Sequence, residues 1–344
     1  MVISLSGKIW FADFWRGIAA ICVVVSHLTA PLWPIAGSSP LFFTLLGQFG
    51  VSLFFLISGF VIPISLKSYS VSNFLIGRLL RIYPTYAAGF SVTLILTLIY
   101  SPNMPTLVQM LSHYLLIQDL LRTVALDGIV WTLQIELKFY VLCALFIVWL
   151  RAYSSNLLLV ILADIGIALF FPSPEIAAWA MWLLLMFIGV VYNFHHNKRI
   201  SGRMAVMLGS ALFMAFAECW LTKEGGPRRL LMIAYFISQI VFLVSYLLKD
   251  KFKPFAVTRW LSAISYPLYV VHGVLGSVVA NLANQRGVDW LPAILLAFVV
   301  VIIAAWLIHV AVEKPSHQLG RRLKRAPRDN EGTRQVNDAA IVGL

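Results

Sequence analysis

Ten apolar stretches, each close to the length of helix that crosses a bilayer, constrain this chain more than any other feature. Crossing about 30 Å of hydrocarbon takes about 20 helical residues. Runs of that kind occur at roughly 12–32, 46–66, 80–100, 130–150, 156–172, 176–194, 204–222, 230–248, 260–283 and 290–312. The fifth is short and contains Asp164. Only 12% of residues are charged, against about 25% in ordinary soluble domains. The sequence therefore predicts an all-α integral membrane protein of about ten transmembrane helices. Its polytopic domain spans 1–315, and a basic, disordered cytoplasmic tail follows over 316–344.

Charge tests that count. Of the 26 lysines and arginines, 20 fall on the side shared by the two termini, five fall opposite, and Lys138 lies inside a span. Cytoplasmic loops carry the excess of Lys and Arg, so both termini are expected in the cytoplasm. The multi-pass chain is then expected in the cell inner (cytoplasmic) membrane. The formal net charge of +12 does not point to nucleic acid. The basic residues punctuate the gaps between apolar runs and form no stripe with interleaved aromatics. Cys22, Cys143 and Cys219 all lie within spans; they form neither a disulfide framework nor a metal-ligand spacing, and no metal is expected. The N-terminus runs straight into a full-length span, which reads as retained. The longest connection, 101–129, carries an amphipathic piece at Leu107–Leu121 expected to lie in the outer interface.

Ionisable groups inside spans are costly and usually face a bundle interior or a cavity. Arg16 and His27 stand eleven residues apart, which puts them on one helical face, about 16 Å apart along the axis. Counted inward from the predicted span ends, His27, Glu136 and His272 fall in one layer nearer the outside, with Tyr266 and Tyr269 just below His272 and Ser58 and Gly59 at comparable depth. Three helices supplying ionisable groups to one layer point to a site. Arg78 and Arg81 are neighbours on a helical face at the inner end of the third span. Beside Arg16 they would suit a phosphate-bearing ligand, since guanidinium forks bind phosphate bidentately. Alone, arginines at a span start usually serve as topology anchors.

Six segments, in order, resemble the acyltransferase-3 family of bacterial integral membrane acyltransferases: FADFWRGIAAICVVVSHL, FFLISGFVI, RLLRIYP, WTLQIELKFY, ISYPLYVVH and VEKPSHQLGRR. They cover Phe11 to about Arg322. The resemblance implies O-acetyltransferase chemistry, in which an acyl group, most often acetyl, moves from acetyl-CoA or another acyl-CoA to a hydroxyl of an envelope or secreted carbohydrate. It implies that His27 is catalytic and that Arg16, Arg78 and Arg81 help hold the donor. Two departures stand out. The family's carboxylate motif often has a second acid where this chain has Leu137, leaving Glu136 as sole acid, and Lys138 stands where a neutral residue is common. A salt bridge from Lys138 to Asp164 would account for both buried charges.

The expected chemistry follows from general acid–base principles. Neutral His27 would take the proton of the attacking hydroxyl, Glu136 would hold the imidazole tautomer, and Ser58, Tyr269 or His272 would donate to the oxyanion. An acyl-enzyme intermediate is the other route. Partners would be the carbohydrate acceptor and membrane lipid. A proton-coupled transporter or flippase of a carbohydrate or lipid-linked substrate would use the same buried groups, as would a non-enzymatic scaffold. The lack of internal repeats counts against a transporter, and CoA binding separates the enzyme from both.

Overall fold

The computed structural model describes residues 9–29, 41–66, 70–223, 226–253 and 255–323. Among them there is no strand. The helices are α1 (Trp10–Thr29), α2 (Leu41–Leu66), α3 (Val71–Tyr100), α4 (Leu107–Tyr114), α5 (Trp131–Leu145), α6 (Ile147–Ala152), α7 (Leu157–Phe170), α8 (Pro174–His196), α9 (Gly202–Lys223), α10 (Met232–Leu247), α11 (Ala256–Gln285), α12 (Trp290–Ile308) and α13 (Lys314–Leu323). Eight described helices are long and apolar enough to cross a membrane, and the chain is a multi-pass, all-α membrane protein.

The fourth and fifth predicted spans differ from the rest. The fourth is broken at Phe146 into α5 and α6, and the fifth, α7, has 14 residues. The third begins nine residues before its predicted start, because Ser70 caps α3 by accepting a hydrogen bond from the Asn73 N–H at 3.2 Å. Hydropathy ends where Arg81 and Arg78 appear, but the helix continues because both guanidiniums turn inward to line a cavity.

A central group of helices holds the molecule together. α1 packs on α2 and α11, α2 on α8 and α10, and α11 on α3 and α12. Lipid gives apolar helices little reason to associate, so close backbone approach through small residues does the work. At the α2–α8 crossing, a Cβ on Gly59 would fall on the Met186 carbonyl group and one on Gly189 would strike the backbone at Leu56 and Phe60. At the α1–α2 crossing, a Cβ on Gly50 would come within 2.6 Å of the Ala19 carbonyl oxygen. Phe11, Phe60, Phe242 and Tyr246 pack ring to ring across α1, α2 and α10.

The connection between α3 and α5 is not confined to an interface. Leu107, Val108 and Leu111 of α4 face outward, but Ser112 and His113 are fully buried. The His113 Nδ1–H donates to the Gln109 carbonyl at 2.8 Å, so Nε2 is left to accept the Leu126 N–H at 2.9 Å. Burial holds the His113 pKa below its usual value, which keeps that acceptor available. Parts of the rest of the connection turn inward, with Leu116, Gln118, Asp127, Ile129 and Val130 buried, while Leu120, Leu121 and Val124 between them are more than half exposed. The first residue of α5 therefore starts inside the molecule.

At the other end, residues 314–323 fall largely in the segment expected to be a disordered tail, yet they form α13. A π-helical turn, His309–Glu313, carries the chain from α12 into it. Ser316 and Gly320 are buried, and Gly320 lies against Leu80 of α3. The remainder of the predicted tail, 324–344, lies outside the described residues.

Candidate active site

α1, α2, α3, α5 and α11 surround a cavity of about 820 Å³, its mouth included. Arg16, Arg78, Arg81, Glu136, Ser58 and Tyr269 all line it. Six sequence-predicted residues from five helices thus share one space, with three guanidiniums against one carboxylate. Each guanidinium is positioned by its neighbours. Arg16 donates to Asp13 Oδ1 at 3.3 Å, one turn back on α1. Arg78 lies over the rings of Phe74 and Tyr140, 5.4 and 5.2 Å from their centroids. Arg81 has Arg16 and Glu313 as electrostatic neighbours.

Glu313 is a contributor that hydropathy and depth counting missed. It sits in the π-helical turn, is only 4% exposed, and accepts from His309 Nδ1 at 2.5 Å. π-Helical turns are rare and concentrate at functional sites. The i, i+4 spacing of His309 and Glu313 was the readable signal, though only the fold brings Glu313 near Arg16 and Arg81. Tyr140 was likewise unforeseen as a wall residue, and it lines the cavity with Tyr266, which was expected near this depth. Tyr140 donates its hydroxyl proton to Glu136 Oε1 at 2.5 Å, and Tyr266 donates to the Ile82 carbonyl at 3.0 Å.

Glu136 does not hold His27. It stands among the arginines, in electrostatic range of Arg16, which lies eleven residues below His27 on α1. The single layer expected for His27, Glu136 and His272 is therefore two levels. The physical cause is the buried approach to α5, which starts that helix deeper than a surface loop would.

The partner of His27 is His272 instead. Their rings stack with centroids 4.9 Å apart, and His27 Nδ1 lies 2.7 Å from His272 Nε2. His272 is fully buried, and its Nδ1 lies 2.7 Å from the Tyr269 carbonyl oxygen. A carbonyl can only accept, so His272 Nδ1 carries hydrogen and, in the neutral ring, Nε2 is a lone pair. His27 Nδ1 must then donate, which leaves the lone pair on His27 Nε2. One backbone carbonyl thereby sets the tautomer of both rings. His27 itself is exposed, two residues from the end of α1.

Tyr269 joins the two levels. It lines the end of the arginine cavity, and its ring centroid lies 5.6 Å from that of His272. Its hydroxyl donates to the Ile129 carbonyl at 3.0 Å and meets Thr132 Oγ1 at 2.5 Å. With that proton engaged and His272 Nε2 occupied, neither residue has a donor aimed at an oxyanion. Ser58, on the α2 wall, is the third predicted donor.

Lys138 does not pair with Asp164. Its ammonium donates to Asp119 Oδ2 at 2.5 Å and sits 4.0 Å from the centroid of the Trp179 ring. The sequence separation of 19 residues and the inward path of the 115–130 segment hid this pairing. Among the described residues no group of three His, Cys, Asp or Glu side chains is arranged to hold a metal.

Comparison with known proteins agrees with this architecture. The chain is 23% identical over 294 residues to the protein named "Putative acetyltransferase ORF330" of Acidianus two-tailed virus, covering 79% of this chain and 85% of that one. It is 29% identical over 179 residues to Nodulation protein 10 of Rhizobium leguminosarum bv. viciae, covering 45% of this chain and 48% of the relative. No solved structure matches it. Residues 9–310, which carry the arginine cavity, the histidine pair and every helix of the central group, match the acyltransferase-domain family as a whole, and the chain belongs to that family, acyltransferase 3.

Proposed function

We propose that this acyltransferase moves an acyl group, acetyl in the first instance, from acyl-CoA to a hydroxyl of an envelope or secreted carbohydrate at the cell inner membrane. The observation that carries this reading is the single cavity lined by Arg16, Arg78 and Arg81 that ends at Tyr269, directly beneath the His27–His272 pair. Guanidiniums suit the phosphates of a CoA donor. The axial distance from Arg16 to His27, about 16 Å, is one that an extended pantetheine arm has to bridge. The excess of basic residues on the side of the termini supports entry of the donor from the cytoplasm.

His27 Nε2 takes the proton of the acceptor hydroxyl as its oxygen attacks the thioester carbonyl. The new C–O bond forms, the C–S bond breaks, and the thiolate recovers the proton from the His27 imidazolium. His272 keeps the His27 lone pair outward throughout and accepts the His27 Nδ1–H more strongly once that ring is charged. Glu136, held by Tyr140, balances the arginines and so sets how tightly the donor is retained. Ser58 is the hydroxyl available on the cavity wall for the carbonyl oxygen.

The test is transfer from labelled acetyl-CoA in inverted membrane vesicles containing acceptor carbohydrate, wild type beside His27→Ala. Label should enter carbohydrate only with His27 present, while both proteins accumulate equally. Equal transfer by the variant would remove His27 from the mechanism, and absence of CoA binding by the wild type would overturn the donor assignment.

A further inference from the structure

A second opening lies on the flank formed by α3, the 115–120 segment, α5, α7 and α8. It encloses about 1420 Å³, its open side included. Its walls are mostly aliphatic, among them Leu75, Leu79, Leu137, Ile167 and Leu183. The surrounding surface is apolar too: Val141 and Leu145 of α5 and Leu159 and Leu162 of α7 are all more than half exposed. In a membrane-spanning helix bundle such a flank faces lipid, so whatever enters this groove comes from the bilayer.

The groove is not uniformly apolar. Asp164, from the middle of α7, lines it, is 7% exposed, and its Oδ2 has no hydrogen-bond partner. A buried acceptor left unpaired is costly, which marks a place where a ligand group belongs. The other charges along the groove are engaged. Lys138 is held by Asp119 and lies over Trp179, and Arg78 is packed against Phe74 and Tyr140. An anionic headgroup would meet a committed cation and an unpaired acid. A neutral hydroxyl would meet an acceptor in need of a donor.

We infer that this groove binds a neutral, hydroxyl-bearing lipid of the bilayer, its hydroxyl on Asp164 and its chain along the aliphatic walls. Arg78 and Tyr140 line both this groove and the arginine cavity, so these side chains separate the groove from the proposed donor site. The inference needs no acyl transfer and stands or falls by binding alone.

The full-length protein in lipid nanodiscs is photolabelled with a diacylglycerol carrying a diazirine in one chain, beside a phosphatidic acid of the same chains. Diacylglycerol labelling should saturate, map to α3, α5, α7 and α8, and be competed by unlabelled diacylglycerol at least about fivefold better than by phosphatidic acid. Asp164→Leu should cut it about tenfold, the loss of one hydrogen bond to a buried carboxyl, while Asp164→Asn, which keeps an acceptor, stays within about twofold. Neither change removes a partnered group, so folding should survive. Should Asp164→Leu nevertheless fail to accumulate, Val141→Trp at the exposed rim tests the groove by blocking it. The inference is overturned by labelling that never saturates and spreads over α9, α10 and α12. Equal competition by phosphatidic acid, indifference to both variants, or a groove filled instead by a second copy of the chain would also overturn it.

Discussion

His272→Phe is the sharpest test of how the histidine pair works. The substitution keeps an aromatic ring in a fully buried position but removes the acceptor that lies 2.7 Å from His27 Nδ1. Two contributions are lost. A neutral buried hydrogen bond that selects the tautomer is worth about 0.5–1.5 kcal/mol, and the stronger bond to the charged imidazolium in the transition state about 1.5–3 kcal/mol. The ground state loses the weaker bond and the transition state the stronger one, so the barrier should rise by their difference, about 1–1.5 kcal/mol. At 1.36 kcal/mol per decade, kcat should fall about 5- to 13-fold. His272 does not line the arginine cavity, so the donor KM should hold within about twofold. Initial rates of acetyl transfer against acetyl-CoA concentration separate the two parameters. His272→Gln can present a carbonyl oxygen to the same proton and should recover most of the loss. Wild-type kcat in the Phe variant, or a rise in KM with kcat unchanged, would refute the tautomer argument.

Three further outcomes are expected. Arg78→Ala with Arg81→Ala should raise the acetyl-CoA KM at least about tenfold, since each guanidinium–phosphate contact is charge-assisted; an unchanged KM in the same vesicle assay would return both residues to topology anchoring. Gly59→Val should prevent accumulation of folded protein, because its Cβ falls on the Met186 carbonyl group and the crossing of α2 and α8 cannot widen without losing its packing; size-exclusion chromatography of the solubilised variant checks this. Burial pushes the Asp127 carboxyl up to about 6 from its ordinary 3.8, so the folded state holds a proton that the unfolded state has already lost between those values. Stability should therefore fall by up to about 3 kcal/mol as pH rises from about 4 to 6 and then level off. Asp127→Asn should flatten that stretch of the unfolding profile, and an unaltered slope would count against the burial argument.

What was legible in the sequence follows from which quantities depend on one helix alone. The shared face of Arg16 and His27 is a property of α1, and that of Arg78 and Arg81 a property of α3, so both pairs are read correctly from spacing. Arg16, Arg78 and Arg81 meet in one cavity, as their common place at the inner end of the spans suggested and the likeness of six ordered segments to a family implied. Depth across helices is different, because it requires knowing where each helix starts relative to the others. The depth count for Glu136 placed Trp131 at a surface, whereas Val130 and Ile129 before it are already buried. That offset moves Glu136 from the histidines to the arginines and gives its place beside His27 to His272. The same inward segment supplies Asp119 to Lys138 and leaves Asp164 unpartnered. It also supplies the Ile129 carbonyl that engages the Tyr269 hydroxyl. Each reassigned pairing thus traces to one irregular stretch between α3 and α5, where hydropathy carries no register and the path is set by tertiary hydrogen bonds such as those of His113. If that stretch also positions the site, His113→Phe should weaken the hold on Leu126 and lower kcat without touching any residue that lines the arginine cavity.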